Sequence, residues 1–150
     1  MKKLNLNKKG FTLVELLAVI VVLAVIMLLA VNAVIPQMNK ARKNAFVTEA
    51  QTFIGGAETY VLNKQMGGAA VTDIDCVDLD DLMPEYVEEK EGYSGIVEIS
   101  GLSDGNPVYT IYVTNGKYYI NGKTSKDLAA DESAIVTEGS SASLSKTTCS

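Results

Sequence analysis

The chain has 150 residues, two cysteines, no histidine and a formal net charge of −5. Without imidazole the commonest general base and metal ligand is missing, and two cysteines are too few for a disulfide scaffold, so ordinary hydrolase and zinc chemistry are poorly supplied. The charges of residues 1–10 are all positive (Lys2, Lys3, Lys8, Lys9), leaving nine basic against 18 acidic side chains in the remainder, an acidic body that argues against nucleic-acid binding by phosphate neutralisation.

The first element is the stretch KKGFTLVELLAVIVVLAVIMLLAVNAVI at residues 8–35. From Phe11 to Ile35 it runs for 25 residues with Glu15 as its only charge. A helix of that length spans roughly 37 Å, enough for a bilayer core of about 30 Å. Lysines on its amino-terminal side hold that side in the cytoplasm and place the rest outside. A secretory signal peptide would offer a shorter apolar region followed by a small-residue cleavage site. A plain single-pass anchor fits the length but gives no reason for a carboxylate in hydrocarbon, which costs about 3 kcal/mol on insertion scales. That cost asks for a partner.

The residues Lys9-Gly10-Phe11-Thr12-Leu13-Val14-Glu15-Leu16 resemble the processing signature of type IV pilins and pseudopilins, and the short leader resembles the class III type of Gram-positive members. The resemblance implies that a membrane prepilin peptidase cuts between Gly10 and Phe11 and that the new amino terminus at Phe11 is methylated. It further implies that Glu15 pairs with a neighbouring subunit's amino-terminal amine during assembly. Physical chemistry agrees, because a carboxylate in the first helical turn suits the positive end of the helix dipole and an amine would neutralise it in an apolar filament core. Many family members carry a Gly within this segment and a Pro about one turn earlier than Pro36; here no Gly lies between Phe11 and Ile35. Pro36 lacks an N–H and crowds the Asn32 carbonyl, so a kink or local opening is expected there, with the membrane exit as the plainer reading.

Beyond Pro36 helical character continues to about Lys64, with an apolar stripe at Phe46, Ala50, Phe53, Ile54, Ala57, Tyr60 and Val61. Lys40, Arg42, Lys43, Glu49 and Glu58 fall off the stripe and read as a solvated face. Gly55-Gly56 weakens the helix unless close packing is needed there. The stretch QMGGAA at residues 65–70 ends the helix. An acidic connection follows, with Asp73, Asp75, Asp78, Asp80 and Asp81, residue types that can hold a hard cation such as Ca²⁺. The loop lacks the glycine spacing and terminal glutamate of an EF-hand and reads as a solvated loop with a helical turn over residues 79–83 capped by Asp78, calcium being the alternative. Leu79, Leu82, Tyr86 and Val87 tuck it onto the core.

The period then changes to two in GIVEIS, PVYTIYV and KYYIN. With Asn115-Gly116 as hairpin turn residues, Val113 opposes Tyr118 and Ile111 opposes Ile120, so that Tyr109, Ile111, Val113, Tyr118 and Ile120 share a face that covers the helix stripe. Tyr112 and Tyr119 oppose one another on the outer face. Ile135 and Val136 offer a short edge strand. Cys76 and Cys149 could form a disulfide, as the resemblance to pilins that staple the carboxy-terminal segment to the sheet implies, or remain separate thiols.

The fold class is α+β, a long amino-terminal helix (hydrophobic stem plus amphipathic half) packed on a small antiparallel sheet, which is also what a pilin resemblance implies. The expected organisation is a leader over residues 1–10, a membrane and filament-core helix over 11–36, and a head over 37–150. The function implied is a structural, non-enzymatic subunit of a type IV pilus. The alternatives are a minor pilin or pseudopilin of a type II secretion or DNA-uptake machine, or a membrane-anchored calcium-dependent binding module. Partners implied are identical subunits, the prepilin peptidase, and an assembly platform with its ATPase. The chain would reside in the cytoplasmic membrane as a single-pass prepilin, then in an extracellular surface filament of the kind used in adhesion and motility. No cofactor is implied.

Overall fold

The computed structural model describes residues 10–68, 70, 74–130, 135–139 and 143–149. Helix α1 runs Leu13–Met66. Its end follows the glycines: the Gly67 N–H donates to the Asn63 carbonyl at 2.9 Å, the Gly68 N–H to the Gln65 carbonyl at 3.1 Å, and Gly68 takes φ +90°, a conformation a side chain would resist. The helix passes unbroken through Pro36, so the expected opening is not present. One missing N–H removes one hydrogen bond, and the turns on either side keep theirs; the Asn32 side-chain amide donates to the Leu28 carbonyl at 3.4 Å.

Two compact units divide the chain, Met1–Asn39 and Lys40–Ser150. In the first, every described residue is exposed, including the long run of leucine, valine and isoleucine. Among the described residues α1 is the one helix long and apolar enough to cross a membrane.

In the second unit the described strands form one antiparallel sheet in the order β1-β2-β3-β4-β5. These are β1 Cys76–Asp78, β2 Ser94–Ser100, β3 Val108–Thr114, β4 Tyr118–Thr124 and β5 Thr137–Glu138. Short helices α2 Leu79–Leu82 and α3 Ser125–Ala130 sit between them in sequence. The amphipathic half of α1 buries Phe46, Val47, Ala50, Phe53, Ile54, Ala57 and Val61 in one core with Val97, Ile99, Tyr109, Ile111, Val113, Tyr118 and Ile120 from the sheet. A helix stripe at spacings of three and four and a strand face at spacing two meet here, each removing the other's apolar surface from water. Phe46 reaches the Tyr118 ring at 6.0 Å and Phe53 the Tyr93 ring at 5.7 Å. Leu79, Leu82 and Val87 are buried and Tyr86 packs beside them. The close approach anticipated at the glycine pair falls at Gly56, where a Cβ would overlap the Val87 side chain, while Gly55 faces open space.

The β3–β4 hairpin is paired two residues away from the expected register. Val113 opposes Ile120 and Thr114 opposes Tyr119, so the central turn residues are Gly116 and Lys117. The Asn115 side chain explains the shift. Its Oδ1 accepts from the N–H groups of Lys117 at 3.1 Å and Tyr118 at 2.9 Å, which holds Asn115 before the turn and leaves Gly116, at φ +81°, in the first central position. A shift by two preserves the faces, so the five residues expected to share the core face do share it. Tyr112 and Tyr119 keep the outer face but oppose Asn121 and Thr114. A bulge between Ile111 and Tyr112 leaves Gly122 unpaired at φ +63°. The edge strand β5 falls at Thr137–Glu138, just after the expected Ile135 and Val136, which instead turn toward the core.

Gly95 in β2 has φ +141°, and a Cβ there would fall on the Tyr112 carbonyl of the paired strand, 3.0 Å from the Val113 Cα. Gly95→Ala should therefore destabilise the head by about 3 kcal/mol, from backbone strain and overlap together. Thermal unfolding in detergent measures it, and a melting temperature equal to wild type would contradict the reading.

The carboxy-terminal segment crosses the outer sheet face. The Ser145 N–H and hydroxyl both reach Asn121 Oδ1, at 3.2 and 2.7 Å. Lys146 pairs with Glu98 and lies 5.7 Å from the Tyr112 ring centroid. The Cys149 N–H donates to Asp78 Oδ1 at 3.2 Å, and Cys149 is bonded to Cys76 with their Cα atoms 5.7 Å apart. The segment thus touches β4, β3, β2 and β1 in turn and covers Ile96, which is 1% exposed though it lies on the face away from α1. The Lys146 hydrogen bond holds the Glu98 carboxyl below the usual carboxylate range, and the same contact raises Lys146. The lowered carboxyl favours the folded tail above the ordinary carboxylate pKa and ceases to do so as pH falls through the lowered value. The raised lysine favours it below the ordinary lysine pKa and ceases to do so as pH rises through the raised value.

Candidate functional site

The amino-terminal signature has a defined local geometry. Thr12 immediately precedes α1, and Glu15 stands in its first turn. The Thr12 N–H and hydroxyl both donate to Glu15 Oε2, at 2.8 and 2.9 Å. In return the Glu15 N–H donates to Thr12 Oγ1 at 3.3 Å, and the Leu16 N–H donates to the Thr12 carbonyl at 3.2 Å. This is a capping box, Thr-x-x-Glu, in which two backbone donors that the helix leaves unpaired are satisfied reciprocally. Both Thr12 bonds fall on one carboxylate oxygen, and among the described residues no hydrogen bond occupies Oε1.

The box gives Thr12 a role in holding Glu15, and the Thr-x-x-Glu spacing before an apolar run is its recognised signal. Gly10 and Phe11 precede the helix and are exposed, Phe11 by 82%. A Cβ at Gly10 would meet nothing within 4 Å, so space within one copy does not require glycine there.

The described carboxylates of the acidic connection do not converge. Asp73 lies outside the described residues. Asp75 is exposed, as are Asp80 and Asp81 in α2. Asp78 precedes α2 but makes no side-chain cap bond, contrary to the capping expected of it, because its carboxylate accepts from the Cys149 N–H instead. Among the described residues no group of three His, Cys, Asp or Glu side chains is placed to hold a metal ion.

Capped carboxylate, uncovered apolar helix and α+β head define the class, a protein whose amino-terminal helix is built to be surrounded by something apolar. The family model described as "Prokaryotic N-terminal methylation motif" matches residues 5–31, the segment that contains Gly10, Phe11, Thr12 and Glu15. Residues 5–31 thus carry the motif of prepilin-type proteins. No curated protein and no solved structure matches the chain.

Proposed function

We propose that the chain is a structural subunit of a type IV pilus. The prepilin peptidase cuts it after Gly10, Phe11 becomes the methylated amino terminus, and the helix over residues 11–36 leaves the cytoplasmic membrane for the core of a filament whose surface is the head over residues 37–150. The observation that carries this reading is the uncovered apolar helix with its single carboxylate, lying in the segment that the methylation-motif model matches. Bilayer and filament core supply the same kind of apolar surrounding, so transfer between them leaves the helix buried throughout. A platform protein driven by an ATPase would perform that transfer. Within the filament Glu15 keeps its Thr12 bonds through Oε2 and offers Oε1 to the amine of an adjacent subunit, which neutralises both charges.

Substituting Gly10→Val tests the processing step. The variant is expected to remain in the membrane at its unprocessed length, with no filaments at the surface, as read by immunoblot mobility and electron microscopy. A shortened product with normal filaments would contradict cleavage at this bond.

A further inference from the structure

On the compact unit Lys40–Ser150 the exposed large hydrophobic residues among those described are Leu62, Met66 and Val108. Two of them, Leu62 at 58% and Val108 at 45% exposure, line one open groove of about 510 Å³ where the carboxy-terminal turns of α1 meet the start of β3 and the junction of β4 with α3. The mostly buried Tyr109 lines it as well. A concave apolar surface with a few polar groups is the usual form of a small-molecule site, and the volume falls within the range of about 300–1,000 Å³ of such sites.

The polar groups of the groove are of two kinds. The Thr124 N–H and hydroxyl both donate to Asp127 Oδ2, at 3.0 and 2.8 Å, so Thr124 is occupied in capping α3. Glu58, Ser125 and Lys126 also line the groove and are exposed. Among the described residues neither Glu58 nor Lys126 has an ion-pair partner. Burial, and then the Glu58 carboxylate, push the Tyr109 hydroxyl up, which puts that carboxylate beside the aromatic wall of the groove. The lining thus offers an anion from α1, a cation from α3 and apolar surface from α1 and β3.

We propose that this groove binds a short apolar peptide with free ends, its amine on Glu58, its carboxylate on Lys126 and Ser125, and its side chains on Leu62, Val108 and Tyr109. Opposite charges supplied by two separate elements select a ligand that carries both signs. A plain acyl chain, or a ligand of one sign, would cover one of the two charges without giving it a partner. Apolar surface from two elements accommodates two side chains, which favours a dipeptide over a lone amino acid. The site stands apart from the apolar stem and does not depend on assembly of the chain into a filament.

Equilibrium dialysis of the full-length chain in lipid nanodiscs tests it. The probes are the dipeptide Leu-Phe, its amino-terminally acetylated form and its carboxy-terminal amide, with empty nanodiscs as the blank. Wild type is expected to bind Leu-Phe saturably with a Kd on the order of 0.1 mM. Each blocked form should bind about tenfold more weakly, for one lost charge-assisted contact. Glu58→Gln is expected to bind the free and acetylated peptides alike while still rejecting the amide. Lys126→Met is expected to bind the free peptide and the amide alike while still rejecting the acetylated form. A misfolded head would lose both preferences together. No saturable binding, equal binding of the three probes to wild type, or substitutions that leave the preferences unchanged overturn the proposal. So does a Val108→Cys chain that forms disulfide-linked dimers in the membrane, since that outcome assigns the groove to a second copy.

Discussion

Glu15→Val is expected to leave the chain in the membrane fraction and abolish surface filaments. Valine is cheaper than a carboxylate in hydrocarbon by about 3 kcal/mol, so insertion does not suffer. On the proposed filament reading, what fails is the protein core that replaces the lipid, where the amine of each incoming subunit would be buried without a counter-charge, a loss of about 3–5 kcal/mol for a broken buried pair. The loss recurs at every subunit added. Glu15→Gln separates charge from helix capping, because a glutamine at that position can still accept from the Thr12 N–H and hydroxyl but cannot neutralise an amine. It is expected to fail with the valine variant, and Thr12→Val, which removes the cap and keeps the charge, to assemble better than either. Filament counts by electron microscopy, with the membrane fraction read by immunoblot, rank the three. Normal filaments from Glu15→Val would remove the pairing role.

Cys76→Ser or Cys149→Ser should have the largest effect on the head. The bond joins residues 73 apart in sequence, and the chain-entropy relation gives about 4 kcal/mol for a loop of that size. The remaining attachments of the tail, Lys146 to Glu98 and Ser145 to Asn121, are exposed contacts of the kind that contribute under about 1 kcal/mol each. They do not hold the segment over Ile96 once the covalent link is gone. A melting temperature lower by on the order of 15 °C is expected from either single variant. The double variant should match each single one, because the second thiol has no further bond to lose. Circular dichroism melts of the chain in detergent, with reduced wild type as a control, read the effect; a shift of only a degree or two would show that the tail's other contacts suffice.

The parts of this structure that were legible in sequence are those that a period expresses. The stripe from Phe46 to Val61 and the alternation from Tyr109 to Ile120 each name a buried face, and burial depends on parity, so an error of two residues in pairing leaves the core unchanged. The register itself depends on a side chain, the Asn115 amide capturing the Lys117 and Tyr118 N–H groups, which no hydropathy pattern encodes. Asp78 is a similar case. Its position before Leu79 suits an N-cap, but the disulfide brings the Cys149 N–H alongside and takes the carboxylate away. The path of residues 143–149 over four strands is equally invisible in a Ser- and Thr-rich sequence, since it is held by single polar contacts and one covalent bond. At the amino-terminal segment the family signature drew attention to Gly10, Phe11 and Glu15. The capping partner Thr12 stood in plain view between them as a spacing of three.

If the bilayer is a staging place for this helix, cleavage after Gly10 commits it to a filament. Intact mass together with amino-terminal sequencing of the protein recovered from cells decides whether that cut is made. The expected chain begins at Phe11 and carries an added methyl group on its amine. A chain that begins at Met1, or one cut beyond Ile35, would contradict it.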